Sequence, residues 1–491
     1  MLDAFFEHLE TLSRQRPDQI ALADAAQRVS YAALLERIAE RGARLKQCGA
    51  TRVGLALDNG VDWALWDLAM MRDRIVCVPL PSFFSPTQVA HVLDQAGIDT
   101  VIGTPSAFAP LGFTATGDSD IAQRECLSPP KLPVGTQKIT FTSGTSGSPK
   151  GVCLDSDAPL KVAESLATVT RPCDIQHHLT LLPLATLLEN IGGIYAPLWL
   201  GARVTLPSLI DVGWSGASGF DSAKGWDLIL AEAPDSLILV PQLLSALLAR
   251  QGPAPIDFGR FFAVGGATVS PELLRRAQSA GWPVFEGYGL SECASVVSLN
   301  RPGEQHLGSV GRPLPHVDLQ IDDDGEIHAA GALMLGYLGE PSSRIERWPT
   351  GDLGEWQDAT LHLKGRRRQV FITAYGRNVD PAWVEAELTA EPVIAQAWVY
   401  GEAQPANRAL LVPGSDTVSE EALQAAVARA NERLPDYARI SRWRVSAPFT
   451  PLNGLATANG RLRREALETA HADWLAAPIT AADTTTATSA T

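Results

Sequence analysis

No two of the six cysteines (Cys48, Cys77, Cys126, Cys153, Cys173, Cys293) form a C-x-x-C pair. Their scatter excludes a disulfide scaffold and a closely spaced zinc site, and points to a reduced, cytoplasmic protein. The chain also lacks a basic footprint. Its formal net charge is −15, and Arg366 to Arg368 is too short to be a polybasic tail, so a nucleic-acid partner is excluded. Long apolar runs are missing too. The most apolar stretch, residues 179–204, is broken by Pro183, Glu189, Asn190 and Pro197. It fails as a transmembrane segment and fits the interior wall of a large domain. Asp3, Glu7 and Glu10 interrupt any apolar secretory core at the start. No repeat of solenoid period is present. Asp322-Asp323-Asp324-Gly325 lacks the spacing and final glutamate of an EF-hand, so it reads as a hairpin turn.

What is present is ample core material, 45% hydrophobic residues in a chain of 491, which implies more than one domain. Helical and strand patterns alternate from the start. Helices are expected over residues 2–15, 31–48, 62–71 and 87–96, with short strands over 52–57, 75–79 and 100–102. The middle repeats the theme with strands at 237–240, 261–264 and 283–285. The strand at 261–264 enters Gly265-Gly266-Ala267, and Ser270-Pro271-Glu272 opens a helix. Such alternation predicts an α/β fold, a large multi-layer N-terminal domain with partly parallel sheets. From His306 the pattern turns strand-rich. A small α+β domain is expected from Gly365, which divides the chain into 1–364, 365–470 and a disordered Ala/Thr-rich tail at 476–491.

The most informative segment runs from Thr142 through Ser143, Gly144, Thr145, Ser146, Gly147, Ser148 and Pro149 to Lys150. Seven consecutive hydroxyl or glycine positions supply backbone N–H groups and hydroxyls that can close around phosphate oxygens. Lys150 adds a point charge. The spacing is not that of a Walker A motif, and a flexible linker would not sit between two apolar runs with a lone lysine at its end.

The loop resembles the phosphate loop of the adenylate-forming superfamily, which holds acyl-CoA synthetases, luciferases and adenylation domains. Three further segments match it in order. These are Tyr288-Gly289-Leu290-Ser291-Glu292, then Thr350-Gly351-Asp352, then Gly365-Arg366-Arg367-Arg368 with Tyr375-Gly376-Arg377-Asn378 beyond it. The resemblance covers residues 10–467. It implies an acid–thiol ligase that uses ATP and Mg2+ to turn a carboxylic acid into an acyl-adenylate and then passes the acyl group to CoA. It implies that the loop and Lys150 cradle phosphate, that Glu292 holds magnesium, and that Ser291 contacts phosphate. Tyr288, Gly289 and Gly265, Gly266 and Ala267 would surround adenine. Asp352 would hold the ribose, and Arg366 would assist. Arg368 would sit at a hinge of a mobile C-terminal domain, and Gly376 would line the thiol channel.

Two departures matter. Arg461 stands where the family carries a catalytic lysine; it does that work, or Arg463 or Arg464 replaces it, or adenylation is weakened. The segment after Thr186 resembles the long-chain fatty acyl-CoA synthetase branch, and Leu184, Leu188, Val240 and Val264 would form an apolar pocket for a medium- or long-chain fatty acid, with ordinary core packing the equal alternative. A carrier protein or an amine is the alternative acceptor, and a non-catalytic nucleotide- or acyl-binding relative the alternative class.

Overall fold

The computed structural model describes residues 1–142, 150–215, 219–340, 345–375, 377–457 and 460–477. The first helix, Leu2–Gln15, buries Leu2, Phe5, Leu9 and Leu12, one stripe at helical spacing. The helix Val61–Arg72 buries almost every side chain, so it lies inside the molecule. Among the described residues, no helix is long and apolar enough to cross a membrane.

Two sheets organise the large domain. Among the described residues the larger has nine strands. At its centre His177–Leu179, Ser236–Leu239, Phe261–Val264 and Val284–Leu290 run parallel. Their C-terminal ends therefore share one edge, where α/β sheets collect ligands. One face of these strands carries Leu237, Leu239, Phe262, Val264 and Val284 into a core under helices. The opposite face carries Ser236, Ile238, Phe261, Ala263 and Phe285, with Phe261 stacked on Phe285 at 4.7 Å.

The second sheet has eight strands among the described residues. Arg52–Leu55 and Val76–Pro79 run parallel, and Val76–Pro79 is parallel to Lys138–Thr142. Lys138–Thr142 then pairs antiparallel with Lys150–Leu154, Thr142 opposite Lys150. The phosphate-loop residues between them, Ser143, Gly144, Thr145, Ser146 and Gly147 included, lie outside the described residues. A buried ion pair anchors the start of this hairpin. Lys138 Nζ donates to Asp67 Oδ1 at 2.8 Å, to Tyr195 OH at 2.7 Å and to Asn190 Oδ1, and Tyr195 and Asn190 both donate to Asp67 Oδ2.

A four-stranded antiparallel sheet follows, Asp318–Ile321, Glu326–Ala330, Trp348–Gln357 and Thr360–Arg366. Asp322 accepts the amides of Asp324 and Glu326, the hairpin turn that its acids and glycine predict. The small domain packs the helices Pro381–Thr389 and Glu420–Arg433 on the strands Ile394–Tyr400, Asn407–Pro413 and Ile440–Val445. It runs past residue 470: the helix Ala472–Ala476 buries Leu475 against Trp398 and Leu410. Residues 478–491, most of the predicted disordered tail, lie outside the described residues.

The sequence pattern ends one strand at Phe285, yet the structure continues it to Leu290. The apolar cue stops at Glu286 and Gly287, but antiparallel pairing with Ser295–Leu299 carries the strand on. Tyr288 and Gly289 are thus strand residues. A Cβ on Gly289 would lie 1.9 Å from the Ser295 carbonyl oxygen, and backbone cannot yield as a flexible side chain can. Gly289→Ala is expected to destabilise the protein by about 1–3 kcal/mol. A denaturant midpoint equal to that of the parent would refute this.

Candidate active site

The parallel strand ends, the antiparallel hairpin and the small domain enclose a cleft that continues along the nine-stranded sheet, a cavity of about 1640 Å³. Gly265 and Gly266 form its floor just beyond Phe261–Val264. A Cβ on Gly265 would come within 2.9 Å of the Gly287 carbonyl oxygen, and Gly266 has φ +80°. Both positions need glycine, which leaves bare backbone facing the cleft beside exposed Ala267.

Tyr288 donates its hydroxyl proton to Asp352 Oδ2 at 2.7 Å. Arg366 Nε meets the other carboxylate oxygen at 2.9 Å. Arg366 stands directly opposite Asp352 across the hairpin, so strand register sets this pair. Desolvation raises the Asp352 pKa, and Arg366 and Tyr288 pull it back. Asp352 and Arg366 both line the cleft.

The strand carrying Tyr288 and Gly289 ends in the tight turn Ser291–Cys293. Ala294 and Ser295 follow with φ +53° and +103°, left-handed conformations that cost non-glycine residues energy and gather at functional sites. The turn presents Ser291 to the cleft. Glu292 Oε1 accepts a hydrogen bond from Tyr337 OH at 2.8 Å. Lys150 Nζ lies 5.0 Å from the centre of the Tyr337 ring, a cation–π distance, and 3.5 Å from Glu340. Tyr337 therefore joins the lysine at the end of the phosphate loop to the turn that carries Glu292. A half-exposed carboxylate held by one neutral donor suits Mg2+, which keeps several waters and takes its remaining ligands from substrate phosphates.

The small domain supplies the opposing charge. Arg461 closes a turn in which its amide donates to Thr457 Oγ1 and its carbonyl accepts the Thr457 amide. The guanidinium keeps contact with solvent inside the cleft but has protein on most sides. Desolvation lowers its pKa, as does Arg366, while Glu292 and Asp352 oppose the shift. Arg461 thus faces the carboxylates of the other domain. Its neighbours are committed elsewhere: Arg463 donates to the Gly454 carbonyl, and Arg464 clasps Glu385 through two hydrogen bonds of 2.9 and 2.6 Å.

Two contacts latch the domains in this pose. Ser270 Oγ donates to Glu387 Oε1 at 3.0 Å, and Arg276 donates to the Ala390 carbonyl at 2.5 Å. Arg366 and Arg367 are paired to Asp352 and to Glu326 and Asp324. Arg368 is exposed, and among the described residues its side chain has no hydrogen bond or ion pair. Gly376 lies outside the described residues. Thr142 ends its strand opposite Lys150.

Of the predicted acyl-pocket residues, Leu188, Val240 and Val264 line the cavity. Leu184 does not. It is fully buried in the main core, and its amide donates to Asn59 Oδ1 at 2.9 Å. Sequence shows that the residue is apolar but not which wall it faces.

Glu286 is a cleft residue that the pattern of motifs passes over. It lies two residues before Tyr288 on the same strand, and its Oε2 is buried with no hydrogen-bond partner among the described residues. Burial raises its pKa to about 8, so the carboxyl is neutral at pH 7 and able to donate to or accept from an amino-bearing base. The signal in sequence was an acid inside an apolar strand. The folded carboxyl keeps its proton up to about pH 8, whereas the unfolded one loses it near 4.5. The folded state therefore binds more protons across that window, and stability falls as the pH rises through it. Glu286→Gln is expected to flatten that fall by a few kcal/mol at most. Denaturation of both proteins at about pH 5 and about pH 8 tests this; parallel losses would refute it.

Residues 9–338 match the family model described as AMP-binding enzyme, and residues 368–480 match that of the AMP-binding enzyme C-terminal domain. The chain is 26% identical to the long-chain-fatty-acid–CoA ligase FadD15 of Mycobacterium bovis, over 82% of this chain and 78% of that one. It is 30% identical to 2-succinylbenzoate–CoA ligase of Bacillus velezensis, over 68% of each. Among solved structures, the O-succinylbenzoate coenzyme A synthetase of Bacillus subtilis in complex with ATP and magnesium superposes with a TM-score of 0.73 at 22% identity, covering 93% of this chain and 98% of that one.

Proposed function

The chain belongs to the AMP-binding enzyme family, and from that premise we propose that it activates a medium- or long-chain fatty acid as the acyl-adenylate and transfers it to CoA. It is an acid–thiol ligase that uses ATP, Mg2+ and CoA. The observation that carries the fatty-acid reading is the cavity itself. It leads from Gly265 along the sheet past Val240, Ile238 and Ala263, a stretch whose described walls are apolar, with the carboxylates Asp352 and Glu286 kept to the nucleotide end.

The carboxylate attacks the α-phosphate, its new oxygen–phosphorus bond replaces the bond to pyrophosphate, and pyrophosphate leaves. The work is alignment and charge stabilisation. The loop from Thr142 through Gly147 and Lys150 cradles the phosphates. Glu292, oriented by Tyr337, would hold Mg2+, which when bound would spread the negative charge of the polyphosphate. Asp352 accepts from the ribose hydroxyls, with Arg366 and Tyr288 fixing its carboxylate. Tyr288, Gly289, Gly265, Gly266 and Ala267 surround the base, and Glu286 meets its polar edge. Arg461 approaches from the small domain to neutralise the reacting oxygens. For transfer, the small domain turns about Arg368, beyond a boundary near Gly365, and Gly376 lines the thiol channel.

Pyrophosphate release with ATP, magnesium and a panel of fatty, aryl and amino acids tests the reading, each with and without CoA. Release that follows fatty acids, with acyl-CoA seen by mass, is the expected result. Release only with aryl or amino acids would overturn the substrate class. Acyl transfer only to a carrier protein or an amine, offered in parallel, would overturn the acceptor.

A further inference from the structure

The far end of the corridor is polar. Ser236 and His178 line the cavity there and are at least 95% buried. His178 Nδ1 lies 2.8 Å from Ser236 Oγ, and Nε2 lies 3.3 Å from Glu189 Oε1. Burial pulls the His178 pKa down to about 3 and pushes that of Glu189 well up, so the trio is uncharged. Glu189 Oε2 is buried with no partner among the described residues, so the acid proton is satisfied on Oε1, which donates to Nε2, and the proton on Nδ1 then goes to Ser236 Oγ. The serine O–H is then left to the cavity, since among the described residues Oγ has no other hydrogen-bond partner.

The backbone nearby is shaped to pack closely against this trio and hold it in place. Ile191–Tyr195 is a turn of π-helix, a distortion frequent at functional sites. A Cβ on Gly192 would come within 2.7 Å of Ile238, and one on Gly193 within 2.5 Å of Glu189 and 3.0 Å of His178. Ser236 stands opposite Phe261 in register, four strand residues from the Gly265 floor, or roughly 13 Å at strand rise. Apolar Ile238, Ala263 and Leu188 lie between the two ends.

The geometry points to a substrate that is polar at both ends: a medium-length acid with a neutral hydroxyl or keto group at its far end, bound by Ser236 and oriented through His178. A plain alkyl terminus would leave the serine hydroxyl unpaired, which buried polar groups avoid. A charged terminus would be buried with no counter-charge. The inference rests on the reading that this cleft activates carboxylic acids.

The test compares decanoic acid, ω-hydroxydecanoic acid and decanedioic acid by pyrophosphate release and acyl-CoA formation. The expected result is a kcat/KM for the hydroxy acid at least about tenfold above that for decanoic acid, with the diacid poorest. Ser236→Ala, and independently His178→Phe, should bring the hydroxy-to-plain ratio towards one. A parent ratio at or below one overturns the inference and leaves fatty-acid activation standing. So does a high ratio that Ser236→Ala leaves unchanged, since the hydroxyl would then be read elsewhere. No release from any of the acids overturns both readings together.

Discussion

Arg461→Ala is expected to slow acyl-adenylate formation by on the order of 10²–10³-fold, the usual loss when one preorganised charge or donor is removed from a reacting oxygen. Arg461 faces Glu292 and Asp352 across the cleft, beside Arg366. Among the described residues, Arg463 donates to the Gly454 carbonyl and Arg464 pairs with Glu385, so neither is placed as Arg461 is. Arg461→Lys keeps the charge and loses the planar fork, so it should fall between parent and alanine. Single-turnover pyrophosphate release checks the order. An alanine variant as fast as the parent would remove Arg461 from the chemistry and return the question to Arg463 and Arg464.

Lys138→Met is expected to lower stability by about 3–5 kcal/mol, the cost of leaving one member of a buried ion pair alone. Asp67 and Lys138 are both inaccessible, with side-chain exposures of 1% and 6%. The lysine also satisfies Asn190 and Tyr195, so its loss leaves several polar groups short at once. Removing the charge from both sides should cost much less: Lys138→Met combined with Asp67→Leu is expected to recover most of the loss, because the surviving charge is what makes the single change costly. Urea unfolding of the two variants and the parent gives the comparison. A single variant within about 1 kcal/mol of the parent would show that water or a rearranged partner satisfies Asp67.

The segments proposed to carry chemistry were legible as candidates because they are short and local. Gly265 and Gly266, Tyr288, Glu292 and Asp352 follow one another in order, and the helix stripe of Leu2, Phe5, Leu9 and Leu12 could be counted by eye. Contacts made at a distance could not be read. Nothing in the residues around Glu292 announces Tyr337, because the two meet only once a short antiparallel strand crosses the phosphate-loop hairpin. Leu184 and Leu188 look alike as letters, and only the helix that follows decides that one fills the core while the other faces the cleft. The extent of the strand through Tyr288 was hidden for the same reason, since its partner, not its own composition, holds it straight.

Any rotation of the small domain must first release Ser270 from Glu387 and Arg276 from the Ala390 carbonyl. Two hydrogen bonds of about 0.5–1.5 kcal/mol each weight the resting equilibrium by roughly 5- to 150-fold towards the pose in which Arg461 lies in the cleft. Glu387 keeps Arg433 when the latch opens, so no buried carboxylate is stranded on the way. Under the proposed two-step cycle the protein would wait between turnovers already cocked for its first half-reaction, and the second acceptor would have only that small bias to overcome.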